Sequence, residues 1–341
     1  MTCDHKNGRP AVARGEAERY PVRPMSEIPA RKITVVGAGY VGMTSAQKCL
    51  EKDLAREICL IDVREGWAKG IALDLNQSAA IEGHGGRVVG TGDPEDTYDS
   101  DLFIVTAGRP RKPGMSRSDL LEVNGRVMES VARYIRDGSP DAIVIVVTNP
   151  LDIMVSLMRT KLGFPAKRVV GMAGALDSAR FSWFIAEATN SNVQDVSAMV
   201  MGAHGDSMVP LPHFCTVNGI GIEHLVPAEA IEAMSNRTRK GGGEIVKLLE
   251  SGSAFYAPAA GAVAMAKSIL NDERRLLPCA CLLNGHFGFE GVYTGVPAIL
   301  GRHGVEEIVE IPLDTTARIQ MQKTVGAIQE DMDALRNLGL L

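Results

Sequence analysis

Long hydrophobic runs and a surplus of basic residues are both missing from this sequence of 341 residues. No apolar stretch reaches the roughly 18 residues that a membrane-spanning helix needs, so we predict no membrane association. The 36 lysines and arginines are outnumbered by 41 aspartates and glutamates, which gives a formal net charge of −5. Nucleic acid is therefore not an expected partner, because its phosphates attract proteins with a basic surplus.

Cysteine motifs, internal repeats and low-complexity segments are missing too. The six cysteines are Cys3, Cys49, Cys59, Cys215, Cys279 and Cys281. They form no C-x-x-C pair and no paired cysteine–histidine spacing, so we expect reduced thiols, no metal site and a cytoplasmic location. The overall composition, 45% hydrophobic and 23% charged, is typical of one large or two medium globular domains.

The first 30 residues lack the apolar core of a secretory signal. Prolines, arginines and acidic residues alternate there, and the acidic residues argue against a transit peptide. We therefore predict a disordered arm over residues 1–30. An alternative interpretation is that the protein starts at Met25, in which case the arm does not exist.

A glycine-rich loop follows directly on a short apolar segment. The β-branched run Ile33–Val36 predicts a buried strand, and Gly37–Gly42 then has the pattern G-x-G-x-x-G before a helical pattern that runs to about Lys52. Between a strand and a helix, this pattern predicts a dinucleotide-binding turn. Its glycines allow a tight turn, close approach of a pyrophosphate and close packing of helix on strand, and the helix dipole faces the phosphates.

A carboxylate ends the second predicted strand, Glu57–Asp62. Asp62 lies about 20 residues after the glycines, where a ribose-binding acid is expected. A carboxylate at that place accepts hydrogen bonds from both ribose hydroxyls and repels a 2′-phosphate, so we predict NAD rather than NADP. The alternative is an acidic residue that caps the next helix.

Two further predicted strands end in polar or basic segments. Asp101–Thr106 leads into a loop over 107–117 that carries four basic residues, and Ala142–Val147 stops at Thr148, Asn149 and Pro150. Ligands bind at the carboxyl edge of an open parallel sheet, so we predict that the basic loop closes over an anionic substrate. A solvated charge run is the alternative for that loop. Alternating strands and helices predict a doubly wound Rossmann α/β domain over residues 31–150.

The residues after Pro150 show a different pattern. Long helical stretches and a glycine-rich antiparallel meander over 288–311 predict an α+β substrate domain over residues 151–341. Within it, Asp177 and Arg180 are three positions apart at a helix start and therefore lie on neighbouring faces. An ordinary surface ion pair is the alternative for them.

A single histidine lies between small residues in the stretch Met201–Pro210. Ala203 and Gly205 leave room for a substrate to approach the imidazole of His204. The ordinary pKa of histidine suits a general acid–base role near neutral pH. For a lone histidine a surface loop is the alternative, but the motifs elsewhere in the chain favour catalysis.

Taken together, these stretches resemble the lactate/malate dehydrogenase family, and within it the NAD-dependent malate dehydrogenases of the lactate-dehydrogenase-like branch. The likeness runs from about Ile33 to the C-terminal helix. The motifs that carry it are Gly37–Gly42, Asp62, Ala107–Gly108, Pro110–Arg117, Thr148–Asp152, Leu176–Phe181, His204–Leu211 and Ser253–Pro258. Any one of them could arise by chance, but their joint occurrence in this order is specific to the family.

The resemblance implies a role for each site residue. His204 would donate and accept the substrate proton, and Asp177 would hydrogen-bond its other ring nitrogen. Arg180 would bind the carboxylate beside the reacting carbon, Arg117 would polarise the C2 carbonyl as the loop closes, and Asn149 would contact the substrate. The cofactor would be NAD, and the residues that would hold it are Gly37, Ala38, Gly39, Tyr40, Val41, Gly42, Asp62, Asn124, Val147, Thr148 and Asn149.

The resemblance also implies the substrate and the assembly. Arg111 would pair with a distal carboxylate, at a place where lactate enzymes typically have glutamine, so we expect reversible oxidation of (S)-malate to oxaloacetate. Lactate dehydrogenase, or another 2-hydroxy acid dehydrogenase, is the closest alternative. An NAD- and metal-dependent glycosidase and a non-catalytic NAD-sensing module are more distant ones. The family is usually dimeric or tetrameric, so a homodimer or homotetramer is expected.

Overall fold

The computed structural model gives the placement of residues 28–110 and 117–341. Residues 1–27, which include Cys3 and most of the predicted arm, lie outside the described residues. So does Arg111, the residue expected to pair with the distal carboxylate of the substrate. Arg117 begins a helix, but its side chain is also outside what is described.

Six parallel strands form the first part of one large sheet. They are β1 (Lys32–Val36), β2 (Glu57–Ile61), β3 (Arg87–Thr91), β4 (Leu102–Val105), β5 (Ile143–Val146) and β6 (Val169–Gly171). Their order in the sheet, β3-β2-β1-β4-β5-β6, is that of a doubly wound fold. Strands β4 and β5 are buried along their whole length, as expected where helices cover both faces of a sheet.

Four helices connect these strands. They are α1 (Tyr40–Glu51), α2 (Glu65–Glu82), α3 (Arg117–Gly138) and α4 (Leu151–Leu162). The predicted strand–turn–helix over 33–52 is present, with α1 beginning inside the glycine-rich loop. Gly37 has a φ of +96°, and a Cβ at Gly42 would collide with the Gly37 carbonyl oxygen, so only glycine fits either position. The carboxyl ends of β1, β4 and β5 consequently meet at one edge, beside the loop.

Eight further strands follow in the second half. They are β7 (Val196–Ser197), β8 (Val200–Met201), β9 (Val209–Pro210), β10 (Thr216–Val217), β11 (Ile220–Gly221), β12 (Arg275–Asn284), β13 (Glu290–Gly301) and β14 (Gly304–Ile308). Strands β12, β13 and β14 form an antiparallel meander, of which β13 and β14 lie in the predicted range 288–311 and β12 precedes it. Strand β12 pairs with β6 through Ala280 and Gly171. A single nine-stranded sheet therefore runs through both halves of the chain. The predicted division at residue 150 stays a prediction.

Four further helices lie in the second half, and three of them are hydrogen-bonded to residues 202–208 between β8 and β9, which we call the histidine loop. They are α5 (Gly174–Thr189), α6 (Ala228–Leu249), α7 (Tyr256–Leu270) and α8 (Thr315–Asn337). Helix α7 packs against α1, α6 against α5, and α8 against α3 and α4. In the described part of the chain, no helix combines the length and the apolar character needed to cross a membrane.

Candidate active site

The imidazole of His204 contacts a buried carboxylate. Its Nδ1 lies 2.9 Å from Oδ2 of Asp177, which is 1% exposed in the first turn of α5. A proton held on Nδ1 by this carboxylate leaves Nε2 as the atom that can exchange a proton with a substrate. The structure thus brings together two residues that are 27 positions apart in the chain.

The surroundings of His204 strengthen its hold on a proton. Burial of the ring by itself lowers the pKa of His204, but the charge and hydrogen bond of Asp177 act in the opposite direction, and Asp152 adds to them. The pKa of His204 is raised above its ordinary value as a result. A histidine of this kind keeps its proton at a higher pH than a solvated imidazole does.

Arg180 lies one turn further along α5. Its Nη1 is 3.4 Å from Oδ1 of Asp177, and its buried Nε has no hydrogen-bond partner among the described residues. Gly241 of α6 makes room for it, since a Cβ at this position would lie only 3.3 Å from the Arg180 Cδ. The guanidinium therefore keeps donors for a bound anion.

One cavity of about 540 Å³ joins these side chains to the glycine-rich loop. The predicted site residues in its lining are Gly39, Tyr40, Val41, Gly42, Asn124, Val147, Thr148, Asn149, Arg180 and His204. Its size falls within the range of small-molecule sites. The basic loop begins at the same cavity, because Arg109 and Pro110 also line it. The contributions of Arg111 and Arg117 stay predictions.

Asn124 fastens the loops that follow β4 and β5 to each other. Its Oδ1 accepts the backbone N–H of Arg109 at 2.7 Å, and its Nδ2 donates to the carbonyl oxygen of Asn149 at 2.7 Å. The hydroxyl of Thr148 donates to the carbonyl oxygen of Ala107 at 2.7 Å. These bonds fix the sheet edge on which the predicted cofactor and substrate contacts lie.

Asp62 supports the glycine-rich loop directly. One carboxylate oxygen accepts the backbone N–H of Ala38 at 2.8 Å, and the other accepts the N–H of Arg64 at 2.9 Å. Neither Asp62 nor Ala38 is in the lining of the cavity. Arg64 precedes the first residue of α2, so the carboxylate takes part in the start of that helix as well as in the loop. Its predicted contact with ribose stays a prediction.

Sequence reasoning assigned no role to Asp152 and Arg239, two residues that hold the histidine loop. Asp152 Oδ2 accepts the backbone N–H of His204 at 2.9 Å, and Arg239 Nε donates to the Met208 carbonyl oxygen at 3.3 Å. Asp152 is the last residue of the family motif Thr148–Asp152, but nothing in its local pattern indicates a contact 52 residues away. In the described ranges no group of three or more His, Cys, Asp or Glu residues could hold a metal ion.

Two family models cover almost the whole chain. Residues 31–171 match the lactate/malate dehydrogenase NAD binding domain, and residues 174–338 match the lactate/malate dehydrogenase alpha/beta C-terminal domain. The chain belongs to the lactate/malate dehydrogenase family. It is therefore an NAD-dependent oxidoreductase that acts on a CH–OH group, and the predicted family, fold class and cofactor are confirmed.

Individual members of this family match over nearly their full length. A malate dehydrogenase of Chloroherpeton thalassium is 49% identical over 307 residues, which cover 90% of this chain and 99% of the relative. The solved malate dehydrogenase of Salinibacter ruber is 44% identical with a TM-score of 0.86, covering 90% of this chain and 98% of that one. A lactate dehydrogenase of Cryptosporidium parvum, complexed with lactic acid and NAD, is 39% identical with a TM-score of 0.87, covering 91% and 99%.

The glycine-rich loop fits the cofactor of this family. Gly39 lines the cavity, and a Cβ there would project into open space, which is the space that a pyrophosphate needs. Gly39 also stands at the start of α1, where no side chain caps the helix. The first backbone N–H groups of α1 are therefore suited to bind phosphate oxygens.

We expect Asp62→Asn to reduce the preference of the enzyme for NADH over NADPH. The substitution removes a negative charge near the predicted ribose site, where repulsion of a 2′-phosphate is worth roughly 1 to 4 kcal/mol, so the ratio of kcat/KM values should fall about fivefold or more. Glu57→Gln, which removes a charge at the other end of β2, is the matched control and should leave the ratio unchanged. An unaltered ratio in Asp62→Asn would contradict the predicted role of Asp62.

Proposed function

We propose that this enzyme is a malate dehydrogenase that interconverts (S)-malate and oxaloacetate with NAD. The observation that carries the proposal is the placement of His204, paired with Asp177, and Arg180 on one cavity with the glycine-rich loop. That arrangement combines a proton donor, a carboxylate-binding guanidinium and a dinucleotide site. Identity of 49% with a relative named malate dehydrogenase supports the same substrate.

His204 moves the proton in the proposed reaction. NAD, when bound, supplies the acceptor and donor of the hydride. During oxidation, Nε2 of His204 accepts the hydroxyl proton, and Asp177 stabilises the imidazolium that forms. During reduction, the protonated ring returns that proton to the carbonyl oxygen. The raised pKa of His204 favours the protonated form from which reduction starts.

Arginines orient the substrate in this proposal. Arg180 binds the carboxylate beside the reacting carbon through a two-pronged hydrogen bond, for which its planar guanidinium in the lining of the cavity is suited. Arg117 polarises the C2 carbonyl, Arg111 pairs with the distal carboxylate, and Asn149 contacts the substrate. The last three roles rest on the family resemblance.

The choice of substrate is tested by initial rates of NADH consumption. We expect kcat/KM for oxaloacetate to exceed that for pyruvate by about 100-fold or more, because a methyl group leaves the guanidinium of Arg111 unpaired. Arg111→Gln should reduce this ratio by at least about tenfold. Lys112→Gln, which removes the neighbouring charge, is the control and should leave the ratio close to that of the unmodified enzyme.

Other results of this experiment lead to other assignments. Preference for pyruvate would favour the lactate dehydrogenase alternative and place Arg111 outside the substrate site. If NADH binds but neither oxo acid is reduced, the proposed substrate class is wrong.

We also propose a homotetramer or homodimer in the cytoplasm. Apolar side chains such as Leu73 and Ile81 are exposed on α2, which supports an interface between copies of the chain. The five cysteines of the described part are buried and free, which supports a reducing compartment. Light scattering on the purified protein distinguishes monomer, dimer and tetramer.

A further inference from the structure

A second carboxylate contacts the histidine loop from α4. Asp152 is 4% exposed, and its Oδ2 accepts the backbone N–H of His204 at 2.9 Å. Oδ1 is buried without a hydrogen-bond partner in the described part of the structure. A neutral asparagine or serine could accept the same N–H bond. Burial of a carboxyl oxygen without a hydrogen-bond partner costs free energy. We therefore ask what a carboxylate at position 152 provides that a neutral side chain would not.

The histidine loop has other anchors that carry no negative charge. The Thr324 hydroxyl of α8 donates to the Ser207 carbonyl oxygen at 2.6 Å. Gly202 exchanges two backbone hydrogen bonds with Gly295 of β13, at 2.9 and 3.0 Å. Fixing the loop in place therefore does not require a carboxylate at position 152.

The ionisable groups that face Asp152 belong to the catalytic cluster. His204 favours the ionised form of Asp152, and Asp177 of α5 disfavours it. Burial, the largest influence, raises the pKa of Asp152 to about 7, so that it ionises in the working pH range. In return, Asp152 raises the pKa of His204, while Arg180 lowers it.

The nearest ion pair elsewhere on this helix is remote from the cluster. Lys161 of α4 pairs with Glu129 of α3 at 3.0 Å, and a rise of about 1.5 Å per residue places it about 13 Å along the helix from Asp152. When Asp152 is ionised and His204 is protonated, the negative charges of Asp152 and Asp177 balance the positive charges of His204 and Arg180.

We propose that Asp152 is a positioning residue whose negative charge, held against the main chain of His204, strengthens the hold of the imidazole on its catalytic proton. The inference rests on the proposed role of His204 as proton donor and acceptor. Two carboxylates then serve one histidine. Asp177 orients the ring through Nδ1, and Asp152 adds charge from the opposite, main-chain end of the residue. Because the two titrations are linked, protonation of His204 also promotes ionisation of Asp152.

The pH dependence of oxaloacetate reduction tests this proposal. Reduction requires protonated His204, so kcat/KM falls on the alkaline side with a midpoint set by the pKa of that ring. Asp152→Asn keeps an oxygen for the His204 N–H but removes the charge, and it should move the midpoint down by about one pH unit. Thr324→Val, the control, loosens the same loop without a change of charge. It should lower kcat/KM and leave the midpoint in place.

A second measurement reports on His204 without turnover. Diethyl pyrocarbonate reacts with neutral imidazole, so the rate of modification of the His204 peptide, followed by mass spectrometry against pH, gives its pKa in the substrate-free enzyme. Asp152→Asn should shift this midpoint down as well. If the unmodified enzyme reduces no oxo acid, the proposed function fails, but this titration still decides the role of Asp152.

Coincident midpoints for Asp152→Asn and the unmodified enzyme in both measurements would overturn the proposal and leave Asp152 a purely structural contact. A midpoint shift of the same size in Thr324→Val would also overturn it, because loosening of the loop would then explain the effect. Thermal unfolding and NADH binding establish that each variant is folded. Asp152→Ser, a smaller neutral acceptor, provides the same comparison if the asparagine variant does not fold.

Discussion

Replacement of His204 by asparagine should lower kcat for oxaloacetate reduction by about 10²- to 10⁴-fold, the range that general acid–base catalysis usually contributes. Asparagine can occupy the space between the Asp177 carboxylate and the cavity, but its amide has no proton to transfer near neutral pH. Stopped-flow measurement of NADH oxidation, with single-turnover conditions to isolate the chemical step, gives the change directly. NADH affinity should be retained, because the glycine-rich loop is unaltered.

A matched control is available in His213→Asn. His213 follows β9 in the chain, whereas His204 precedes it, and its exposed imidazole lies 3.6 Å from the carboxylate of Asp314. Its loss should leave kcat within about twofold, as is usual for surface substitutions. Near-normal turnover by a folded His204→Asn enzyme that binds NADH would refute the assignment of the proton donor.

The second large effect is expected from Arg180→Gln. The variant leaves the substrate carboxylate without its guanidinium partner. Removal of one member of a buried charge pair costs about 2 to 5 kcal/mol, so kcat/KM for oxaloacetate should fall by roughly 30- to 4000-fold. Most of the loss should appear in KM, since the guanidinium binds a carboxylate that does not react. Steady-state rates across oxaloacetate concentrations separate KM from kcat.

Arg180→Lys distinguishes geometry from charge. Lysine keeps the positive charge but loses the planar fork, so it should recover only part of the lost kcat/KM. Arg237→Gln is the control, because Arg237 lies on the exposed side of α6 and pairs with Glu187 and Glu244. Full activity in Arg180→Gln would mean that the substrate carboxylate binds elsewhere in the cavity.

The parts of the fold that the sequence predicted well are those set by neighbouring residues. The strand, turn and helix around Gly37–Gly42 follow from a local pattern of apolar residues and glycines, and the structure contains them. The continuity of the sheet could not be predicted, because pairing of Gly171 with Ala280 joins distant segments and leaves no local signal.

The candidate site shows the same limit. The residues themselves identified Asp177, Arg180 and His204 as candidates, but their grouping came from the family resemblance rather than from spacing. The contact of Asp152 with His204 was not predicted, since the environment of that carboxylate depends on the burial of α4. Arg111 and Arg117 stay predictions, and the kinetic tests above address Arg111.

The nine-stranded sheet also bears on how this protein could be recombined. Strand β6 has β5 on one side and β12 on the other, so a cut between the two family segments, near residue 172, would leave an open strand edge on each fragment. Bare edges of this kind pair with other chains and promote aggregation. The NAD-binding segment therefore cannot be exchanged on its own between proteins. A chimaera that exchanges it must also supply a strand that pairs with β6 in place of β12.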